Sequence, residues 1–134
     1  MESQKGTCLC GKITLTTKSL SKNLGACHCG MCRKWSAGPF LTTDCGQDIT
    51  IEGEENIVYF NSSDWAERAF CKNCGSNLFY RLKQNKNYFV SAELFNDIDY
   101  TFHHQVFIDK KPSYYEFSNE TKNMTEEDIF KQFS

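Results

Sequence analysis

The sequence has little that would place the chain in a membrane, in a nucleic-acid complex or among disordered proteins. It has no apolar run close to the roughly 20 residues of a membrane-spanning helix. Its 15 Lys and Arg nearly balance 17 Asp and Glu, so the basic excess typical of nucleic-acid-binding modules is missing. Only two of its 134 residues are proline and 40% are hydrophobic, which favours one globular domain over residues 1–134.

The first eleven residues also lack the apolar stretch of a secretory signal peptide, so we expect a cytoplasmic protein. Disulfides are rare in that compartment, yet the chain has eight cysteines. Seven of them form a CxC pair, a CHCxxC group and a CxxC pair. These are Cys8-Leu9-Cys10, Cys27-His28-Cys29-Gly30-Met31-Cys32 and Cys71-Lys72-Asn73-Cys74. Thiolates one or two residues apart converge readily on one tetrahedral metal ion, so the pattern predicts zinc rather than disulfides.

Seven cysteines exceed the four ligands of one closed zinc site, whereas four plus three accounts for all of them. Two groupings are open. Either the CxC pair joins the CxxC pair and the CHCxxC group stands alone, or the CHCxxC group is shared between two sites. The first grouping is simpler, because the CHCxxC group already holds three thiolates within six residues. It gives a four-thiolate cluster of Cys8, Cys10, Cys71 and Cys74, and a tripod of Cys27, Cys29 and Cys32.

A closed cluster of four thiolates is typical of structural zinc, whereas a site with three protein ligands keeps a position open for chemistry. A further protein group at the tripod would instead make that site structural too. The candidates are Cys45, His28, His103 and His104. Cys45 lacks metal-type spacing and is interpreted as a small buried residue. His28 is crowded by ligands on both sides, and the adjacent His103 and His104 should face opposite sides of a strand, so at most one of them could reach the site.

Positive charge follows the tripod directly along the chain. Three thiolates and one zinc ion carry a net charge of −1, which Arg33 and Lys34 can offset while attracting a carboxylate-bearing substrate. Trp35 is the candidate wall of such a pocket. We therefore predict substrate contacts at these three positions.

Short β-branched and aromatic segments, separated by Gly, Asn and Asp, predict strands in antiparallel sheets. The segments are residues 12–17, 49–51, 57–60, 78–82, 88–92, 104–108 and 114–117. Thr125 followed by three acidic residues predicts the start of a C-terminal helix, with Ile129, Phe130 and Phe133 facing the body. A shorter helix is predicted between Cys29 and Trp35. The chain is expected to be mostly β, organised around metal.

Three segments resemble the glutathione-dependent formaldehyde-activating enzyme family, which includes centromere protein V. They are Gly6–Ile13, Cys27–Lys34 and Phe70–Ser76, and Val106–Phe117 is similar to the closing strand of the family. The resemblance covers about residues 6–117, with 118–134 as a C-terminal helical extension. It implies a β-tent fold of antiparallel sheets with two zinc ions per chain, a structural one at the four-thiolate cluster and a second at the tripod.

The same resemblance implies a carbon–sulfur lyase that joins glutathione and formaldehyde as S-hydroxymethylglutathione, or cleaves that adduct. Cys27, Cys29 and Cys32 would then hold the catalytic zinc, which takes the substrate thiol at its open position. The expected partner is a small thiol such as glutathione, with neither nucleic acid nor membrane. The alternative is a non-enzymatic zinc module that presents the acidic and aromatic residues 114–127 to a protein partner.

Overall fold

The computed structural model describes residues 2–133, with the backbone alone for Phe133. Eleven β-strands and two α-helices form within this part of the chain. The strands are β1 (Gln4–Thr7), β2 (Thr14–Thr17), β3 (Asn23–Cys27), β4 (Phe40–Gly46), β5 (Thr50–Glu52), β6 (Ile57–Phe60), β7 (Ala66–Cys71), β8 (Asn77–Leu82), β9 (Tyr88–Ser91), β10 (Thr101–Val106) and β11 (Lys122–Met124). The helices are α1 (Gly30–Ser36) and α2 (Glu126–Phe133). The predicted mostly β composition is confirmed.

The chain divides into two compact units. The first consists of the residues up to Lys22 together with Thr42–Asp99, and the second of Asn23–Leu41 together with the residues from Tyr100 onward. Each unit contains one of the two cysteine groups.

The first unit contains antiparallel sheets, as the sequence predicts. Strands β1, β2 and β5 form a three-stranded antiparallel sheet. Residues 42–46 of β4 pair with β9, and the antiparallel pairing continues through β8 and β7 to β6. Several apolar side chains in or next to these strands are fully buried. They include Ile13, Leu15, Leu78, Phe79 and Val90. Leu78 and Phe79 are neighbours in β8 and are both buried, so this part of the core does not follow the simple alternation of a half-buried strand.

The second unit departs from the antiparallel expectation. Strand β10 lies between β3 and β11 and is parallel to both. Antiparallel neighbours can be joined by a tight hairpin, whereas parallel neighbours need a longer crossover. The long connections between β3 and β10 and between β10 and β11 supply such crossovers. Residues 114–117 form no strand, so that prediction was wrong.

Both predicted helices are present, and each begins at a side-chain cap. The Cys29 Sγ accepts a hydrogen bond from the Cys32 amide at the start of α1. At α2 the Thr125 Oγ1 accepts from the Asp128 amide and the Asp128 carboxylate accepts from the Thr125 amide, a reciprocal capping arrangement. The ring of Phe130 lies 6.1 Å from that of Phe107 and Ile129 is half-buried. The predicted orientation of Phe133 lies outside the described side chains.

Neither α1 nor α2 is long and apolar enough to span a membrane, and the described residues contain no other candidate.

Candidate metal centres

The four-thiolate cluster forms within the first unit. The sulfur atoms of its four cysteines all lie within 4.8 Å of one another. The Sγ atoms of Cys8 and Cys10 are 3.6 Å apart, and those of Cys10 and Cys71 are 3.7 Å apart. Zinc–sulfur bonds of about 2.3 Å in a tetrahedron place the sulfurs about 3.8 Å apart. The spacing of these donors therefore fits a tetrahedral zinc ion.

Two tight turns bring these cysteines together. In each turn a glycine with positive φ, Gly11 at +79° and Gly75 at +77°, donates its amide to the carbonyl of the first cysteine, at 3.0 Å to Cys8 and 2.8 Å to Cys71. Other residues adopt this backbone conformation at a cost, which explains the Cys-Gly sequence at both places. The amide of Leu9 donates to the Ser76 hydroxyl at 3.0 Å and so joins the two turns directly.

Hydrogen bonds around the four-thiolate cluster favour the thiolate form of two of its cysteines, Cys10 and Cys74. A hydrogen bond from the Ser76 side chain lowers the pKa of Cys74 to about 5, and a hydrogen bond from Asn73 lowers the pKa of Cys10. Burial instead raises the pKa of Cys8. Because the thiolate is the form that binds metal, two of the four ligands are already predisposed to ligation.

The tripod forms within the second unit, where β3 meets α1. Cys27 ends β3, Cys29 caps α1 and Cys32 lies in its first turn, and the three sulfurs lie within 4.8 Å of one another. The neighbouring Cys29 and Cys32 thiols, together with burial, raise the pKa of Cys27 far above its ordinary value. Three such close sulfurs ionise together when a cation compensates their charge, so this donor set also fits a divalent metal ion.

None of the four candidates for closing the tripod joins it. Within residues 2–133, the tripod and the four-thiolate cluster are the groups of three or more cysteine, histidine or carboxylate donors close enough to share a metal ion. Cys45 belongs to the first unit and is fully buried, which raises the pKa of its thiol to about 12. Its interpretation as a small buried residue is confirmed.

A family model for the glutathione-dependent formaldehyde-activating enzyme matches residues 3–110, a range that contains every cysteine of both groups. The chain belongs to this family.

Two individual proteins extend the comparison. The chain is 41% identical over 133 residues to an uncharacterized lyase of Schizosaccharomyces pombe, a match that covers 98% of this chain and 97% of that protein. The fold is similar to that of a crystal structure of a Rhodobacter sphaeroides protein, with a TM-score of 0.61 and 23% sequence identity. That match covers 70% of this chain and 89% of the other.

His28 lies between two cysteines of the tripod. Its side chain is fully buried and hydrogen-bonded at both ring nitrogens. Its Nε2 lies 2.7 Å from the Gln105 Oε1, and its Nδ1 lies 2.8 Å from the Tyr115 hydroxyl. Because the glutamine oxygen can only accept, Nε2 carries the proton and Nδ1 accepts from the tyrosine. Burial lowers the pKa of His28, which favours this neutral ring. The side chain anchors the tripod loop instead of serving as a ligand.

Sequence reasoning missed Gln105 and Tyr115 as parts of this centre. Gln105 is itself buried and donates from its Nε2 to the Thr121 hydroxyl at 2.8 Å. The sequence offered one clue to them. His28 has a tripod cysteine on each side, so hydrogen-bond partners for its ring had to come from elsewhere in the chain.

Replacing Gln105 by methionine should lower the free energy of unfolding by about 1–3 kcal/mol, because the buried Nε2–H of His28 loses its acceptor. Thermal or urea unfolding of the zinc-loaded protein measures this loss. The control is Thr121→Val, which removes the acceptor of the Gln105 Nε2 but leaves the bond to His28. Because Thr121 is only half-buried, water can replace its hydroxyl, so this variant should lose less than half as much stability. Equal losses in the two variants would contradict the anchoring role of Gln105.

The three predicted substrate contacts occupy different surroundings. Arg33 donates from its Nε to the carbonyl of His28 at 2.9 Å, which ties its guanidinium to the loop of the tripod. Lys34 is exposed on α1. Trp35 is half-buried and packs edge-on against buried Phe40, with ring centroids 5.2 Å apart. Arg33 is thus hydrogen-bonded to the tripod loop, whereas the Trp35 ring packs against buried Phe40.

The expectation that His103 and His104 face opposite sides of a strand was wrong. The pairing register of β10 with β3 shifts between Phe102 and His104, which marks a β-bulge. The extra residue brings the two imidazoles into contact, with their Nδ1 atoms 3.0 Å apart.

Proposed function

We propose that the protein is a zinc-dependent carbon–sulfur lyase that joins a thiol such as glutathione to formaldehyde, or cleaves the resulting S-hydroxymethyl adduct. The tripod carries this proposal, because it gathers three sulfurs and no fourth donor within the described residues. Membership of the formaldehyde-activating family and the identity to a protein named a lyase support it. We further infer a cytoplasmic location, since clustered thiols of this kind need a reducing compartment.

The two cysteine groups would have different roles. Cys8, Cys10, Cys71 and Cys74 would hold a structural zinc, and Cys27, Cys29 and Cys32 would hold the second. A zinc ion with three protein thiolates supplies an open position that favours the thiolate form of a substrate sulfur. Neutral His28 keeps the tripod loop fixed through its two hydrogen bonds. Arg33, held at the His28 carbonyl, offers its remaining guanidinium donors to a substrate carboxylate.

The reaction balances without an oxidant or reductant. In the forward direction the sulfur forms a bond to the aldehyde carbon, the carbonyl π electrons move to oxygen, and the proton that leaves sulfur ends on that oxygen. The reverse direction breaks the carbon–sulfur bond and releases the thiol and the aldehyde.

Lys34, exposed on α1, adds positive charge that attracts an anionic thiol without contacting the reacting atoms.

The test combines metal analysis with coordination spectroscopy. The purified protein should contain two zinc ions per chain, and glutathione should raise the mean sulfur coordination per zinc from about 3.5 to about 4 in X-ray absorption spectra. Exchange spectroscopy with ¹³C-formaldehyde should show faster interconversion of free and glutathione-bound formaldehyde than in buffer. Two zinc ions whose coordination ignores glutathione would contradict the proposal and favour the interaction module.

A further inference from the structure

His103 and His104 form a pair of metal donors that neither cysteine centre uses. Their ring centroids are 5.2 Å apart with an interplanar angle of 75°. The bulge in β10 is what allows this contact, because neighbouring residues of a regular strand point to opposite faces. His103 is exposed, so the pair is accessible from solvent.

Gly25 of β3 fixes the orientation of the His104 ring. Gly25 is the register partner of His104, and a Cβ placed on it would lie 2.2 Å from Nε2, 2.7 Å from Cδ2 and 2.8 Å from Cε1. The ring therefore occupies the space that a side chain at position 25 would fill. With its Nε2 edge over the glycine, the opposite edge directs Nδ1 towards His103.

The distance between the two Nδ1 atoms suits a shared ion. At 3.0 Å, one ring donates a proton to the other, or both lone pairs bind one metal ion. Metal–nitrogen bonds of about 2.0–2.1 Å give nitrogen separations of about 2.9 Å in a square-planar site and about 3.3 Å in a tetrahedral one. The observed separation lies within this range, and imidazole nitrogen is a preferred ligand of nickel, copper and zinc.

We propose that His103 and His104 form a third metal site, which binds a divalent ion of the nickel, copper and zinc group through both Nδ1 atoms. Water would complete the coordination, so binding is weaker and more readily reversible than at the cysteine centres. The site is distinct from the one proposed for the lyase reaction, since the tripod consists of Cys27, Cys29 and Cys32 and includes neither histidine.

The histidine content makes this site unusually simple to test. The chain has three histidines, and His28 is fully buried, so the accessible imidazoles are His103 and His104. The untagged, zinc-loaded protein should bind a nickel-charged iminodiacetate column and elute with imidazole. His103→Gln and His104→Gln should each weaken nickel binding in solution by about tenfold or more, because a chelating pair becomes a single ligand. Lys122→Gln, at the register position beside His104, should bind nickel at least as well as the parent.

Gly25→Ala separates chelation from the mere presence of two histidines. The variant keeps both imidazoles but displaces the His104 ring, so its nickel affinity should fall to that of the single-histidine variants. In the parent, zinc added beyond the two tightly bound equivalents should shift the side-chain ¹⁵N resonances of His103 and His104 and leave His28 unchanged. Single variants that bind nickel as tightly as the parent would overturn the proposal, and they decide the matter even if Gly25→Ala does not fold.

Discussion

Replacing Cys71 by alanine is expected to unfold the first unit at temperatures where the parent remains native. The four-thiolate cluster links the turn after β1 to the turn after β7, where Cys10 and Cys71 are 61 positions apart in the sequence. Structural zinc binding contributes about 10–16 kcal/mol in small zinc domains, which is comparable with the whole stability of a domain. The loss of one ligand should lower the melting temperature by roughly 15–25 °C.

Cys45→Ala is the matched control for that variant. It makes the same chemical change at a fully buried cysteine of the same unit that belongs to neither metal centre. Its effect should be limited to the removed sulfur, about 1–2 kcal/mol. Circular dichroism and zinc analysis of both variants measure the difference, and a chelator should reproduce the Cys71→Ala result in the parent. Equal melting temperatures would contradict the four-thiolate clamp.

The two cysteine groups were predictable because their signal is local. Spacings of one or two residues bring thiols together whatever the rest of the fold does, and the count of seven separates a group of four from a group of three. The four-thiolate grouping also required the CxC and CxxC pairs to meet across a long stretch of chain. Nothing in the local sequence imposes that meeting. It was inferred from the number of ligands that a closed zinc site needs, and the family resemblance implied the same grouping.

Several strands were missed because their sequences carry weak β signals. Asn23–Cys27 contains Gly25 and Ala26, and Ala66–Cys71 contains two alanines and two charged residues. These segments become strands through pairing: β7 lies between β6 and β8, and β3 pairs with β10. Strand formation here reflects neighbours that are distant in sequence, which strand propensity does not measure.

The surroundings of the tripod were the least predictable part of the site. His28 finds its partners 77 and 87 residues away, at Gln105 and Tyr115. The segment around Tyr115 has strand-like composition, yet its aromatic rings pack beside His28, with the Tyr115 centroid 5.5 Å from the imidazole. The bulge at His103 likewise has no local signature, and it alone reverses the alternation from which the two histidines were predicted to diverge.

Replacing Cys29 by alanine should abolish lyase turnover while the first unit keeps its structure and its zinc. The variant removes one of three sulfurs, so the tripod should lose its metal and the zinc content should fall from two ions to one per chain. The rate of formaldehyde exchange with glutathione should drop to the uncatalysed value, since the open metal position is lost. Exchange spectroscopy with ¹³C-formaldehyde and zinc analysis on the same sample measure both effects.

The comparison among cysteine variants separates catalysis from folding. Cys45→Ala should retain turnover and both zinc ions, because Cys45 belongs to neither centre. Cys29→Ala also loses the N-terminal cap of α1, so a modest fall in melting temperature is expected, smaller than that of Cys71→Ala. Arg33→Gln should leave the zinc content at two and raise the glutathione KM, because it removes charge rather than a ligand. Full turnover in a Cys29→Ala protein with one zinc ion would show that the tripod is not the catalytic centre, and both metals would then be architectural.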